Sequence, residues 1–282
     1  MSKISPTLKT LIESPHARPN TTPPPPYIRD VYTRILRQGK EKQYGLRPSI
    51  ALAAAATFTL NSPQSLVHLH SVSSSLSPFL TPLSTAELIR EIGLKCISFN
   101  GIPRTINCLG EFRSSLAVNP WSSQLSTAPS RTVTSRNVEA TLRRGKSLWD
   151  SIYTPFEDKL VAKLAESHPD LPVHILSSHY GPLLANPASE GGDEEARQLG
   201  TVGRCLTSVV AIACLRAQTG VGPQVLSHVY GLRKGVEQGW AEREYAAGGV
   251  ESGEKEGLRN VASNEGLEWI LNSVDNIAKA IG

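Results

Sequence analysis

The sequence predicts an all-α protein, and three observations carry that expectation. Apolar residues recur at helical spacing through most of the 282 residues. Helix start and stop signals bracket those stretches, and no run alternates apolar and polar residues as a half-buried strand would. Residues 5–26 are Pro- and Thr-rich and read as an extended surface arm. Tyr27–Gln43 places Ile28, Val31, Ile35 and Leu36 on one side of a helix. Leu46–Leu60 is Ala-rich and apolar nearly all round, the pattern of a helix buried on most faces. Ser62 and Pro63 open the next helix, because a proline at the first helical position loses no intrahelical bond. Ser84-Thr85-Ala86-Glu87 reads as a capping box opening a helix through Ile89, Ile92 and Ile97. Asn100-Gly101 closes that helix, and Pro103 starts another through Ile106, Leu109 and Phe112. A Ser/Pro-rich linker follows over 117–130. Helical patterns then cover 138–153, 156–167, 173–184, 202–219, 224–238 and 265–281, with Gly/Glu-rich loops at 189–195 and 248–257.

Composition narrows the classes of function. Hydrophobic residues make up 39% and charged residues 19%, enough for a buried core. The net charge of +4 is small and dispersed, so no nucleic-acid partner is expected. Four cysteines, none in a C-x-x-C pair, make neither a disulfide framework nor a zinc ribbon nor a thioredoxin-type dithiol. The longest apolar run, Ile50–Leu60, falls well short of the ~20 residues of a membrane span. Lys3, Lys9 and Arg18 against the single acid Glu13 make a weak transit peptide, so the cytoplasm is expected, with the mitochondrion as the alternative. No apolar signal core follows, and the chain ends in Ala-Ile-Gly without a peroxisomal tripeptide.

An internal repeat is the most informative pattern. Residues 46–72 align without a gap on residues 206–232, with identities at Leu46/Leu206, Ala51/Ala211, Ala53/Ala213, Thr59/Thr219, Pro63/Pro223, Gln64/Gln224, Leu66/Leu226 and His68/His228. Each copy reads as an apolar helix, a short turn and a Pro-started helix bearing a histidine. One such pair cannot bury its own apolar faces, so two copies packed about a pseudo-twofold axis are expected. The domain reading is an arm over 1–26, a first repeat over 27–117, a linker over 118–133 and a second repeat over 134–282.

Several stretches resemble the carboxymuconolactone decarboxylase and alkylhydroperoxidase D (AhpD)-like superfamily, closest to its fungal-type members. RRGKSLWDSIYTPFEDKL is similar to that family's opening helix, and VHILSSHYGPLLANP to the next. GRCLTSVVAIACLRAQTGVGPQVLSHVYGLRKG resembles its core helical pair, with His228 on the family histidine and Gly235 on the closing glycine. In the first copy Asn100, Gly101 and Pro103 stand on the family's Asn-Gly-x-Pro turn, with Asn107 following them.

The resemblance implies an AhpD-like helical fold, a small-molecule substrate, no cofactor and self-association. It also implies a departure. The peroxidase branch carries a C-x-x-C pair before the histidine and an upstream Glu, and here those positions are Val221, Gln224 and a site near Val209. The first copy has Asn61 and Gln64 before His68. Disulfide reduction needs an attacking thiolate and a resolving partner, so peroxidase chemistry of that kind is not expected. The decarboxylase branch implies a small acid or lactone, His228 as general acid/base, and Arg233, Lys234, Arg104 and His68 as substrate-binding candidates. The alternative is a non-catalytic binding or assembly protein built on the same fold.

Other clusters point to structure. His68 and His70 lie on opposite helix faces, and His168, His174 and His179 have no ligand partner at metal spacing, so no metal site is expected. Cys96, Cys108, Cys205 and Cys214 read as buried inert thiols, and Glu87, Arg90 and Glu91 as a solvated face.

Overall fold

Two helices that are apolar on every side can satisfy themselves only at the centre of the molecule, and they pack there against each other. A computed structural model describes residues 4–76, 80–187, 200–244 and 252–282, and among them every regular element is helical. The arm carries α1 (Pro6–Ile12). The first half of the chain carries α2 (Ile28–Glu41), α3 (Leu46–Thr59), α4 (Pro63–Leu76), α5 (Pro82–Asn100) and α6 (Ile102–Leu116). The second begins with α7 (Val138–Tyr153), α8 (Glu157–Ser167), α9 (Asp170–His174) and a π-helix over Ile175–Leu184. It continues with α10 (Arg204–Gln218), α11 (Gly222–Glu237), α12 (Trp240–Glu244), α13 (Ser252–Val261) and α14 (Asn264–Ile281).

α3 and α10 form the centre. Ile50, Leu52, Val209 and Ile212 are sealed from solvent, with α5 and α14 laid across both helices. The two stretches related by the repeat each fold as helix, turn and helix. A left-handed residue makes each turn: Asn61 (φ 54°) in the first, and Thr219 (φ 63°) with Gly220 (φ 74°) in the second. Each central helix begins under a carboxylate brought from far along the chain. Glu254 accepts from the N–H groups of Leu46 (2.7 Å) and Arg47 (3.2 Å), and Glu244 accepts from that of Cys205. These anions satisfy orphan donors and oppose the positive end of each helix dipole.

Four local expectations are corrected. The arm is not wholly extended, because Ser5 caps α1 by accepting from the Leu8 N–H at 3.2 Å. The capping box at Ser84 is not the start of α5: Thr81 is the cap, accepting from the Ser84 N–H at 3.1 Å, with Pro82 in the first turn. The 173–184 segment is α-helical only to His174 and then widens into a π-helix. Pro182 lies inside it and has no N–H for an α-helical ladder. Of the loop expected at 248–257, residues 252–257 belong to α13. There Gly257 lies so close to Gly45 that a Cβ would come 2.7 Å from the Gly45 nitrogen. The rest of that stretch, and the loop expected at 189–195, lie outside the described residues.

The side chains of Glu87, Arg90 and Glu91 are a binding face for the linker and not a solvated one. Glu87 accepts from the Ser126 N–H at 2.6 Å, Arg90 donates to the Ser126 carbonyl at 3.0 Å, and Glu91 pairs with Arg131. The linker is thereby fastened to α5, with Ser122 and Leu125 buried beneath it.

The strongest tie between the halves is Lys95 of α5, which is 1% exposed. Its ammonium donates to the carbonyls of Leu184 (2.6 Å) and Val202 (2.7 Å), to Asn186 Oδ1 (3.1 Å) and to Thr207 Oγ1 (3.1 Å). Removing it strands two buried carbonyls, each worth roughly 1–3 kcal/mol when unpaired. Lys95→Met is therefore expected to lower stability by about 3 kcal/mol or more, read as a shifted midpoint at constant slope in urea unfolding.

Candidate functional site

The histidine at position 228 lies at the junction between the main core and a smaller aromatic cluster of Trp149, Ile152, Tyr180 and Leu184. His228 belongs to α11 and is 4% exposed. Phe99 of α5 meets its ring edge-on at 5.9 Å, and Tyr153 of α7 does so at 6.2 Å. Behind Tyr153 stand Trp149, at 4.1 Å between ring centres, and Tyr180, whose hydroxyl lies 3.1 Å from that of Tyr153. Tyr180 reaches this place because the π-helix presses on α7: a Cβ on Gly145 would come 2.5 Å from the Gly181 nitrogen.

One turn beyond His228, the carbonyl of Gly231 meets a buried cation. The Arg204 guanidinium donates to the Gly231 carbonyl (2.8 Å), the Ser151 carbonyl (2.9 Å), Ser151 Oγ (2.7 Å) and Ser208 Oγ (2.8 Å). All four acceptors are neutral. Glu244 acts on Arg204 through space while it accepts from the first turn of α10. Gly235 extends the same seam, since a Cβ there would stand 3.1 Å from Cys205 Sγ and 3.3 Å from Arg204 Nη1.

Electrostatics follow from this burial. Desolvation, and then the charge of Arg204, push the His228 imidazole down to about 3, so it is neutral at physiological pH. Its Nδ1 is buried without a hydrogen-bond partner among the described residues. Burial raises the Tyr153 and Tyr180 phenols, which stay protonated. Burial also carries the Glu244 carboxyl up to about 7, against the backbone N–H groups that favour its charged form.

The residues expected to surround His228 are engaged elsewhere. Lys234 donates to the carbonyls of Ile152 (3.0 Å) and Thr154, closing the end of α7. Arg233 is exposed on the outer side of α11. Arg104 donates to the Thr59 carbonyl at 2.6 Å, where it caps the end of α3. His68 is half-buried on α4, and its imidazole is lowered by desolvation and by Arg29. The Asn100-Gly101 turn and Asn107 work beside Arg104 as a clamp on the same helix end. Asn100 Oδ1 accepts from Thr59 Oγ1 at 3.1 Å, and Asn107 donates to Asn61 Oδ1 at 3.2 Å.

The cation that does face His228 is Arg204. Its signal was a local contradiction: a basic residue in the first turn of a helix, where the dipole disfavours it. The thiols are all buried. Cys96 and Cys214, far apart in sequence, meet at 3.5 Å in the core, and burial raises Cys96, Cys108 and Cys205. A surface depression of about 420 Å³ on α2, lined by Asp30, Arg34 and Arg37, does not include His228 in its walls. Among the described residues no group of three His, Cys, Asp or Glu side chains could hold a metal ion, and no helix is long and apolar enough to cross a membrane.

Comparison with known proteins gives one informative match. The chain is similar to Peroxisomal protein 2 of Saccharomyces cerevisiae, 30% identical over 160 residues that cover 50% of this chain and 52% of the yeast protein. The chain thus spans about half the length of that curated relative. No family model matches the chain, and no solved structure matches it.

A histidine held neutral by burial stabilises the fold least in acid. Its folded value lies below the unfolded 6.5, so the unfolded state takes up protons first. Stability is lost as pH falls from about 6.5 toward 3. His228→Phe is expected to reduce the acid sensitivity, by roughly 2 kcal/mol between pH 7 and pH 4.5. Urea unfolding of both proteins at the two pH values checks this.

Proposed function

We propose that the pocket of groups around His228 is a thiol-free, AhpD-like site for a small carboxylic acid or lactone, without a cofactor. The observation that carries this reading is the buried imidazole whose Nδ1 has no partner, set beside a buried guanidinium whose direct partners are all neutral. Leaving such a nitrogen unsatisfied costs roughly 1–3 kcal/mol, which a ligand or water hydrogen bond would recover. Arg204 supplies the charge to attract a carboxylate, and His228 supplies a neutral nitrogen that can take up a proton and return it. The two are coupled. Desolvation and then the charge of Arg204 depress His228, so an anion bound against Arg204 offsets the second of these and shifts the imidazole upward. The two helical pairs, related by pseudo-twofold symmetry in this reading, make the AhpD-like frame.

The second reading is a non-catalytic ligand-binding or assembly protein. It is favoured by the value of about 3 at His228, which makes the unliganded imidazole a weak base. For the compartment, the likeness to a yeast protein named as peroxisomal supports the peroxisome ahead of the cytoplasm and the mitochondrion.

Screening small carboxylic acids and lactones by thermal shift is expected to yield compounds that raise the melting temperature of the native chain and not of His228→Gln. If no compound of this class does so, the site reading fails; if compounds bind unchanged, the non-catalytic reading stands. Peroxide with a dithiol donor is expected to be left unconsumed. A fluorescently tagged chain is expected to coincide with a peroxisomal matrix marker in yeast, and a diffuse or mitochondrial signal would overturn that placement.

A further inference from the structure

The two copies are covered unequally. In the first, α6 lies along α4 and buries its outer stripe: Pro63, Leu66, His70 and Ser73 are all buried, with Phe112 and Trp121 packed against His70 at 5.8 and 5.5 Å between ring centres. The same positions in the second copy are Pro223, Leu226, Tyr230 and Arg233 of α11, and all four are exposed. Leu226 is 53% and Tyr230 60% open to solvent, against 0% and 7% for Leu66 and His70. The clamp is missing as well. Thr59 and Asn61 are held by Arg104 and Asn107, whereas at the second turn Thr219 is exposed and Val221, in the place of Asn61, has no polar side chain to hold. No described helix of the second copy lies on α11 as α6 lies on α4.

The chain also carries the reverse case, a helix without a surface to sit on. α1 has no buried residue, yet Ile4, Leu8, Leu11 and Ile12 recur at helical spacing along one side, and all are exposed. A short stretch ties it to the body, since the Thr22 N–H and hydroxyl both donate to the α3–α4 turn, at 2.9 Å each. The nine residues between Ile12 and Thr22 can span up to ~30 Å when extended. Its charges complement the bare stripe: Glu13 follows the apolar side of α1, and Arg233 follows Leu226 and Tyr230 on α11.

We propose that the bare stripe of α11 is the docking surface for α1 of a second copy of this chain, exchanged reciprocally in a twofold dimer. The arm then does for α11 what α6 does for α4, laying an amphipathic helix along an apolar groove. Reciprocal exchange closes the assembly, so no open polymer results. Glu13 of one copy meets Arg233 of the other and sets the direction of docking. The inference does not rest on the site proposed at His228.

Sedimentation of the full chain at micromolar concentration tests it. The native chain is expected to sediment as a dimer of the 30.4 kDa chain. Removal of residues 1–13 and, separately, Tyr230→Asp are each expected to give monomers with unchanged helical circular dichroism, because Tyr230 and the described side chains of the arm, from Ile4 to Glu13, are exposed. Arg233→Glu is expected to weaken the dimer at least tenfold, and Glu13→Arg in the same chain to restore it. A monomeric native chain, a dimer that survives loss of the arm, or charge reversal without rescue would each overturn the proposal.

Discussion

The ammonium of Lys95 is the contact on which the rest of the arrangement depends. It gathers the end of the π-helix at Leu184 and Asn186, the entry to α10 at Val202, and the first turn of α10 at Thr207. Burial pulls its pKa down to about 8, with Glu91 acting against that shift, so the group remains cationic at neutral pH. A buried cation is tolerated because it meets four acceptors, and each acceptor would otherwise be a buried polar group without a partner. Because Lys95 positions the start of α10, it also positions Arg204, and through Arg204 the face of α11 that bears His228. A side chain of the first copy thus sets the geometry of the second copy's candidate site.

Close backbone approach sets the other wall of that site. Gly145 and Gly181 let α7 and the π-helix touch without side chains between them, which turns Tyr180 toward Tyr153 and His228. On α11, Gly235 makes room for the Arg204 guanidinium and Gly231 for Ile152 of α7. Small residues here exchange side-chain volume for buried polar groups. The result is a histidine enclosed by aromatic rings and one cation, where a fully aliphatic setting would make it an inert core residue.

The likeness of the two stretches 46–72 and 206–232 extends to the centre of the molecule but not to its periphery. α3 and α10 are interchangeable in pattern: each is apolar all round, begins under a distant carboxylate and ends in a left-handed turn. Their second helices diverge because their covers diverge. α4 lies beneath α6 and the turn at Pro120–Gln124, while α11 keeps one side bare. Tyr230 and Arg233, where the first copy has His70 and Ser73, suit a face that must stay soluble when unpaired and still bury area when paired.

The sequence by itself determined the helical class, most helix positions, the two matching helical pairs and the burial of the four thiols. Those follow from periodicity, proline and glycine placement and composition, which are properties of neighbouring residues. Tertiary structure decided which residues meet. Lys95 shares the helical spacing of Ile92 and Phe99, so its place in the core was legible in principle, but its four acceptors come from far along the chain. Arg233, Lys234 and Arg104 are near His228 in sequence or family pattern, yet helix geometry turns them to the surface or to carbonyls at helix ends. Arg204 reaches the site instead, because the Gly231 carbonyl and the space beside Gly235 are offered to it only when α10 and α11 are packed. The π-helix and α13 were likewise invisible, since one arises where Pro182 and the Gly145 contact interrupt a helical pattern, and the other is a Gly- and Glu-rich stretch held by the start of α3. Local pattern specifies what each segment can be, while the burial of charge and the close approach of backbones are settled only between segments.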